Sequence, residues 1–267
     1  MVEKRKIKTD RIVVKVGTST LIHPNGKINL ETIDQLSYVL SGLENDGHEV
    51  VLVSSGAIGV GMGVLNINKR PTEIPKQQAL SAMGQTFLMT IYKQRFSLYG
   101  QRIGQLLLTH DVLDYPQSRE NAANSFSTLI KWGVIPIVNE NDAVAVDEMD
   151  HHTRFGDNDQ LSAIVANIVD ADLLIMLSDI DGFYNKNPRK YDDAQLIPEI
   201  NQVDETTYEL AGGKGSKFGT GGMTTKLKAA ERILKAGKQM VLANGDNPNN
   251  IFDIVAGKSV GTFFTNK

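Results

Sequence analysis

The sequence predicts an α/β fold: a three-layer αβα sandwich around a mostly parallel central sheet. Three observations lead there. Short Val/Ile/Leu runs recur from end to end, helical patterns separate them, and the runs are apolar on both faces rather than alternating. The chain has 267 residues, of which 41% are hydrophobic and 22% charged, so wholesale disorder is excluded. Cysteine is absent, which removes disulfides, thiolate metal sites and cysteine nucleophiles. The 28 basic and 31 acidic residues give a net charge of −3, with no basic excess to draw nucleic acid or an anionic membrane. No apolar run reaches the ~18 residues of a membrane span. The expectation is a cytoplasmic protein made of one domain over residues 1–267.

The elements follow in order. The tail up to about Asp10 is polar and is expected to fray. Ile12–Val16 is β-branched and reads as a strand, closed by Gly17-Thr18-Ser19. Ile33, Leu36, Leu40 and Leu43 give a helix from Leu30 to about Glu44, with Asn29 as N-cap and Gly47 beyond its end. Val50–Val53 is a second buried strand, ended by Ser54-Ser55-Gly56. A long helix is expected over Lys76–Ser97, with Leu80, Met83, Phe87, Ile91 and Phe96 on one face. Further strands are expected at Ile103–Leu108, Val134–Val138, Leu173–Leu177, Gln239–Leu242 and Gly261–Phe264. Helices are expected near Arg119–Trp132, Gln160–Val169 and Gly222–Ala236. Ala143–Phe155, with small residues and then an acidic, His-rich stretch, reads as a projecting hairpin. Adjacent His151 and His152 point apart and make a poor metal pair, so no metal site is assigned to protein side chains.

Ligands of open α/β sheets bind at the carboxyl ends of the strands. Four polar segments follow strands there: Lys15–Ser19, Ser54–Ala57, Asn139–Asp142 and Ser178–Gly182. Ser54-Ser55-Gly56-Ala57 is a small-residue turn that suits an anion at a helix start, although an ordinary cap would look the same. Gly59 and Gly61 resemble half of a dinucleotide fingerprint, but the spacing and the missing acid argue against NAD. A Walker A loop is absent, since Phe252 stands where Gly257-Lys258-Ser259 would need its first glycine. The loop Gly219-Thr220-Gly221-Gly222-Met223-Thr224-Thr225-Lys226 brings backbone amides and a lysine to a helix start, as phosphate binding needs. Gly156-Asp157-Asn158-Asp159 holds more polar side chains than one N-cap uses. Lys15 sits at the end of an apolar strand, where a buried ammonium must meet an anion.

Taken together these segments resemble the amino acid kinase family, from about Arg11 to Phe264. Five ordered motifs carry the resemblance: Val14–Ser19, Val53–Ala57, Asn139–Asp142, Phe155–Asp159 and Gly219–Lys226. The Asn-Glu-Asn-Asp and Gly-Asp-Asn-Asp segments look like those of members that phosphorylate free L-glutamate. The resemblance implies ATP-dependent transfer to the γ-carboxylate, giving L-glutamyl 5-phosphate, the first step of proline synthesis. It implies Lys15, Lys226 and Asp159 as catalytic residues, the aspartate orienting both lysines. It implies Ser55, Gly56, Asn139, Asp142, Asp157 and Asn158 at the amino acid. ATP is implied at Lys15, Gly17, Ser178, Asp179, Thr220, Gly221, Gly222, Met223, Thr224, Thr225 and Lys226. Mg²⁺ is implied through the ATP phosphates, proline as a feedback inhibitor, and a homo-oligomer as the assembly. The substrate half is expected over about 11–175 and the ATP half over about 176–267.

Three departures stand out. Ser178 replaces a common threonine, the hairpin around Asp150–Thr153 is longer than in many members, and the additional C-terminal PUA domain of many members is not expected here. A sister kinase would share the ATP half but not the Asp142/Asp157 cluster, which is wrong for an acylated amine. A non-catalytic sensor on the same fold would be expected to have lost one of the two lysines.

Overall fold

The computed structural model describes residues 4–109, 112, 115–144, 158–211 and 222–266. Its strands are β1 (Arg11–Val16), β2 (Glu49–Ser54), β3 (Arg102–Leu108), β4 (Val134–Glu140), β5 (Leu173–Ser178), β6 (Glu199–Ile200), β7 (Gln239–Asn244) and β8 (Thr262–Phe264). They form one sheet in the order β3-β4-β2-β1-β5-β7-β8-β6. Every pairing is parallel except β7 with β8. The helices are α1 (Thr18–Leu21), α2 (Leu30–Asn45), α3 (Ala57–Val64), α4 (Ile74–Leu98), α5 (Pro116–Lys131), α6 (Asn158–Ile168), α7 (Glu205–Leu210), α8 (Gly222–Lys235) and α9 (Asn250–Val255).

The layering follows from strand periodicity. Val13, Val51, Val53, Val138, Leu174, Met176 and Leu242 face one core, shared with α5, α6 and α8. Ile12, Val14, Val50, Leu52, Ile137, Ile175 and Val241 face the other, shared with α2, α4 and α9. Successive side chains point to opposite faces, so a strand apolar at every position requires cover on both sides. β1 lies at the middle. From it the sheet runs to β2, β4 and β3 on one side and to β5 and β7 on the other, so β1 and β5 form a switch point. A single sheet runs through both expected halves, and the 175/176 division falls inside β5.

Strand positions agree with the sequence to within a residue or two, and Asn29 caps α2 by accepting from Thr32 N. α5 starts earlier than expected because Pro116 is accommodated in the first turn, where its missing N–H costs nothing. Short α1, β6, α7 and α9 were not foreseen; each is six residues or fewer, too short to show a period.

Two expectations need correction. The tail is not frayed from residue 4 onward. Arg5 donates to the carbonyls of Val260, Pro198 and Gly261 at 2.5, 2.7 and 2.9 Å and lies over the Phe263 ring, tying the tail to β8. The buried face of α4 is also different. It runs Leu80, Gly84, Leu88, Tyr92 and Phe96, with Ser81 and Gln85 beside it, while Phe87 is 45% exposed. Glycine and polar residues take places that apolar spacing assigned to Met83 and Phe87, because α4 crosses α3 at backbone contact. A Cβ on Gly84 would stand 1.9 Å from Ala57 O, and one on Gly61 would stand 2.2 Å from Leu80 O. Gly61 thus serves helix packing, in accord with the reading against NAD. The residues of the expected hairpin from 145 onward lie outside the described residues. Among the described residues no helix is long and apolar enough to cross a membrane.

Gly84→Ala should force α3 and α4 apart. The expected cost is about 3 kcal/mol, or a fall in Tm of roughly 6–10 °C for a chain this size, read by thermal melting. An unchanged Tm would show that the helices can separate without strain.

Candidate active site

The centre of the site is an ion triad at the carboxyl end of β1. Lys15 Nζ donates to Asp159 Oδ1 at 2.6 Å, and Lys226 Nζ donates to Asp159 Oδ2 at 3.0 Å. Thr225 Oγ1 adds a bond to Oδ2 at 2.9 Å. Asp159 is 0% exposed, Lys15 3% and Lys226 9%, so the charges sit almost out of water. Three elements supply them: the end of β1, the first turn of α6 and the first turns of α8. Lys226 Nζ also donates to Gly222 O at 3.1 Å, which bends the side chain back toward the start of its helix. An ammonium held this far from water is costly unless an anion meets it, and Asp159 meets both.

On the β2–β4 side lies a cavity of about 330 Å³. It is lined by Thr18, Ser55, Gly56, Ala57, Asn139, Glu140, Asp142 and Asn158, among others. A directed chain of bonds orders its wall. Asn158 Nδ2 donates to Ser55 Oγ and to Asn139 Oδ1, both at 2.8 Å. Asn139 Nδ2 donates to Gln85 Oε1 at 2.9 Å. Both amide hydrogens of Asn158 are engaged, so its Oδ1 remains as an acceptor, while the Ser55 hydroxyl keeps its proton to donate. Ser81 Oγ donates to Asp142 Oδ2 at 2.9 Å. Gly56 precedes α3 at φ +100°, a left-handed conformation that glycine takes without strain, and so turns the open amides of the first α3 turn toward the cavity. Below, Ser54 Oγ meets Tyr92 OH at 2.9 Å, and burial pushes the Tyr92 phenol well above its ordinary pKa.

Beyond the triad, at the end of β5, a second cavity of about 540 Å³ is lined by Ser178, Asp179, Tyr191, Arg189, Met223 and Lys226, among others. Arg189 Nη2 donates to Asp179 Oδ2 at 2.6 Å and Ser178 Oγ to Oδ1 at 3.2 Å. Burial raises the Asp179 pKa, but these donors outweigh it and hold the carboxyl below its ordinary range. Lys226 belongs to this cavity and Asn158 to the first, so the triad stands between the two.

The structure therefore gathers Lys15, Asp159, Lys226, Ser55, Gly56, Asn139, Asp142, Asn158, Ser178, Asp179, Gly222, Met223, Thr224 and Thr225 at one edge of the sheet, with Gly17 directly after β1. Asp157, Thr220 and Gly221 lie outside the described residues. Sequence reasoning missed Arg70 in the first cavity, Ser81 and Gln85 behind its wall, and Arg189 and Tyr191 in the second. Polar residues four apart inside an apolar helix were the signal available for Ser81 and Gln85.

Comparison with known proteins settles the family. The model described as "Amino acid kinase family" matches residues 10–244. The chain belongs to the amino acid kinase family. A glutamate 5-kinase of Ligilactobacillus salivarius is 63% identical over 257 residues, covering 96% of each chain. A glutamate 5-kinase of Lactococcus lactis subsp. lactis is 57% identical over 267 residues, covering 100% of this chain and 99% of that one. Among solved structures, a carbamate kinase from Giardia lamblia bound to AMP-PNP superposes with a TM-score of 0.69 at 16% identity, covering 97% of this chain and 99% of that one. An isopentenyl phosphate kinase from T. acidophilum gives a TM-score of 0.66 at 18% identity, covering 95% and 99%. At these identities the structural matches establish the fold.

Asp159→Asn keeps the shape of the triad and removes the carboxylate that its two buried ammoniums share. The expected loss of stability is about 3 kcal/mol or more, seen as a lower Tm and partly restored by inorganic pyrophosphate. A variant as stable as the wild type would mean that water already screens the lysines.

Proposed function

We infer that this chain transfers the γ-phosphoryl group of ATP to the γ-carboxylate of L-glutamate, giving L-glutamyl 5-phosphate and ADP. One observation carries the mechanism: a buried Lys15–Asp159–Lys226 triad with a cavity on either side. Relatives at 57–63% identity, matched over nearly their whole length, support glutamate as the acceptor.

Glutamate is assigned to the cavity beside β2 and β4. Asn158 Oδ1 and Asp142 accept from its α-ammonium, with Asp157 and Asn139 in the same set. The Ser55 hydroxyl and the amides after Gly56 meet the γ-carboxylate. ATP is assigned to the cavity at β5, with Ser178 and Asp179 near the nucleoside end. Gly17, Thr220, Gly221, Gly222, Met223, Thr224 and Thr225 then lie toward the phosphates. The division into a substrate half and a nucleotide half follows these two cavities.

A carboxylate oxygen attacks the γ-phosphorus from one side as the bond to the β-bridging oxygen breaks on the other. The acceptor is ionised at neutral pH, so no general base is required. What the protein must supply is alignment and positive charge. Lys15 and Lys226 flank the transferring group and offset the charge on its oxygens. Asp159 holds the two like charges together before substrate arrives, so little reorganisation is needed during transfer. Mg²⁺ would enter with the nucleotide, whose phosphate oxygens and waters supply its preferred donors, and would neutralise charge on the β- and γ-phosphates. Among the described residues no three acidic or histidine side chains gather into a protein cage for it. Proline carries an α-carboxylate like that of glutamate beside a secondary, ring-bound α-ammonium, and is proposed as a competitor at this cavity. The exposed Phe87 face of α4 is proposed to take part in self-association.

Two experiments test this reading. Incubation with ATP, Mg²⁺ and hydroxylamine should trap a hydroxamate with glutamate but not with aspartate or N-acetylglutamate. Signal with another acid would overturn the acceptor while keeping the chemistry. Asp142→Asn should raise the KM for glutamate by about tenfold or more, the effect of losing one charged hydrogen bond, and leave the KM for ATP nearly unchanged. Equal effects on both constants would remove Asp142 from the ammonium site.

A further inference from the structure

The first cavity contains a cation to which the mechanism gives no task. Arg70 lines it together with Glu140 and Asp142. It lies between α3 and α4 and is exposed, yet its position is set: Nε and Nη2 donate to Gln77 Oε1 at 3.2 and 2.9 Å. Gln77 is on the first turn of α4. One turn on, Ser81 holds Asp142, and one further turn on, Gln85 holds Asn139. Residues four apart share a helix face. A single polar stripe of α4 thus fixes a cation, a carboxylate and an amide of the same cavity. The stripe is itself anchored, since Gly84 sits in backbone contact with α3.

An α-amino acid presents an ammonium and a carboxylate on one carbon. Acidic and amide oxygens of the cavity meet the ammonium, and the triad end meets the reacting carboxylate. The α-carboxylate needs donors of opposite sign. Among the described residues lining the cavity, Arg70 is the only cation. A guanidinium matches a carboxylate in shape as well as charge, and the bonds to Gln77 leave its Nη1 amino group for another acceptor. We propose that Arg70, positioned by Gln77, binds the α-carboxylate of the amino-acid substrate and selects α-amino acids over amino acids that lack that group. The proposal rests on the assignment of this cavity to glutamate. The competing role for Arg70 is general charge balance against Glu140 and Asp142, and it acts on a different part of the substrate.

The two roles separate with 4-aminobutanoate, which is glutamate with hydrogen in place of the α-carboxylate. Hydroxamate formation is measured for the wild type and Arg70→Gln with both acids. If 4-aminobutanoate is not turned over, its inhibition constant against glutamate is measured instead. Arg70→Gln should raise the KM for glutamate by about 10- to 100-fold, the effect of a lost charged pair, with the ATP constant held within about twofold. The constant for 4-aminobutanoate should move by less than about threefold, because it has no group for Arg70 to meet. Gln77→Met should give a smaller rise for glutamate alone, and Gln77→Glu, which keeps the acceptor for Arg70, should restore wild-type behaviour. Equal changes for both acids would assign Arg70 to charge balance and overturn the proposal, as would no change in either. A wild type inactive on glutamate would overturn the function and this inference together, whereas an active wild type with an indifferent Arg70 variant would overturn the inference alone.

Discussion

Two ammonium groups from opposite ends of the chain, Lys15 and Lys226, share the carboxylate of Asp159 where water barely reaches. Like charges repel strongly where water is excluded, and the shared carboxylate offsets that repulsion between the two lysines. Asp159 in turn is buried with its oxygens bonded to two cations and Thr225, as a carboxylate out of water requires. The constraint reaches far into the fold. It requires the end of β1, the start of α6 and the start of α8 to meet at one point, and the central place of β1 in the sheet makes that meeting available.

Around this point the molecule uses backbone contact to set polar geometry. Gly61 and Gly84 let α3 and α4 touch, and that contact fixes how far the polar stripe of α4 stands from the first cavity. The chain from Ser55 through Asn158 and Asn139 to Gln85 then gives each amide a defined direction. An amide that could turn over would present donor and acceptor interchangeably, and an ammonium would be bound less well. Packing and recognition are therefore joined in one helix. The second cavity is built differently, with the exposed Arg189–Asp179 pair at its wall.

Sequence alone determined the layers, every strand but the two-residue β6, and the identity of most polar residues at the sheet edge. Its signals were local: β-branched runs apolar at every position, caps such as Asn29, and short polar segments directly after strands. These survive in any sequence because they depend on backbone periods and on the residue types each period needs. The face of α4 was not legible this way. Its burial is decided by a helix crossing at two glycines far apart in sequence, and Phe87 lost its expected place to Gly84. The fixed tail was equally hidden, since Arg5 finds its carbonyl partners some 190 to 260 positions away. That Asp159 would stand between both lysines was implied by family resemblance, whereas Arg70, Ser81 and Gln85 had no resemblance to mark them. Which side chains meet across the chain is a property of the closed sheet, because a hydrogen bond between distant residues leaves no period in the sequence.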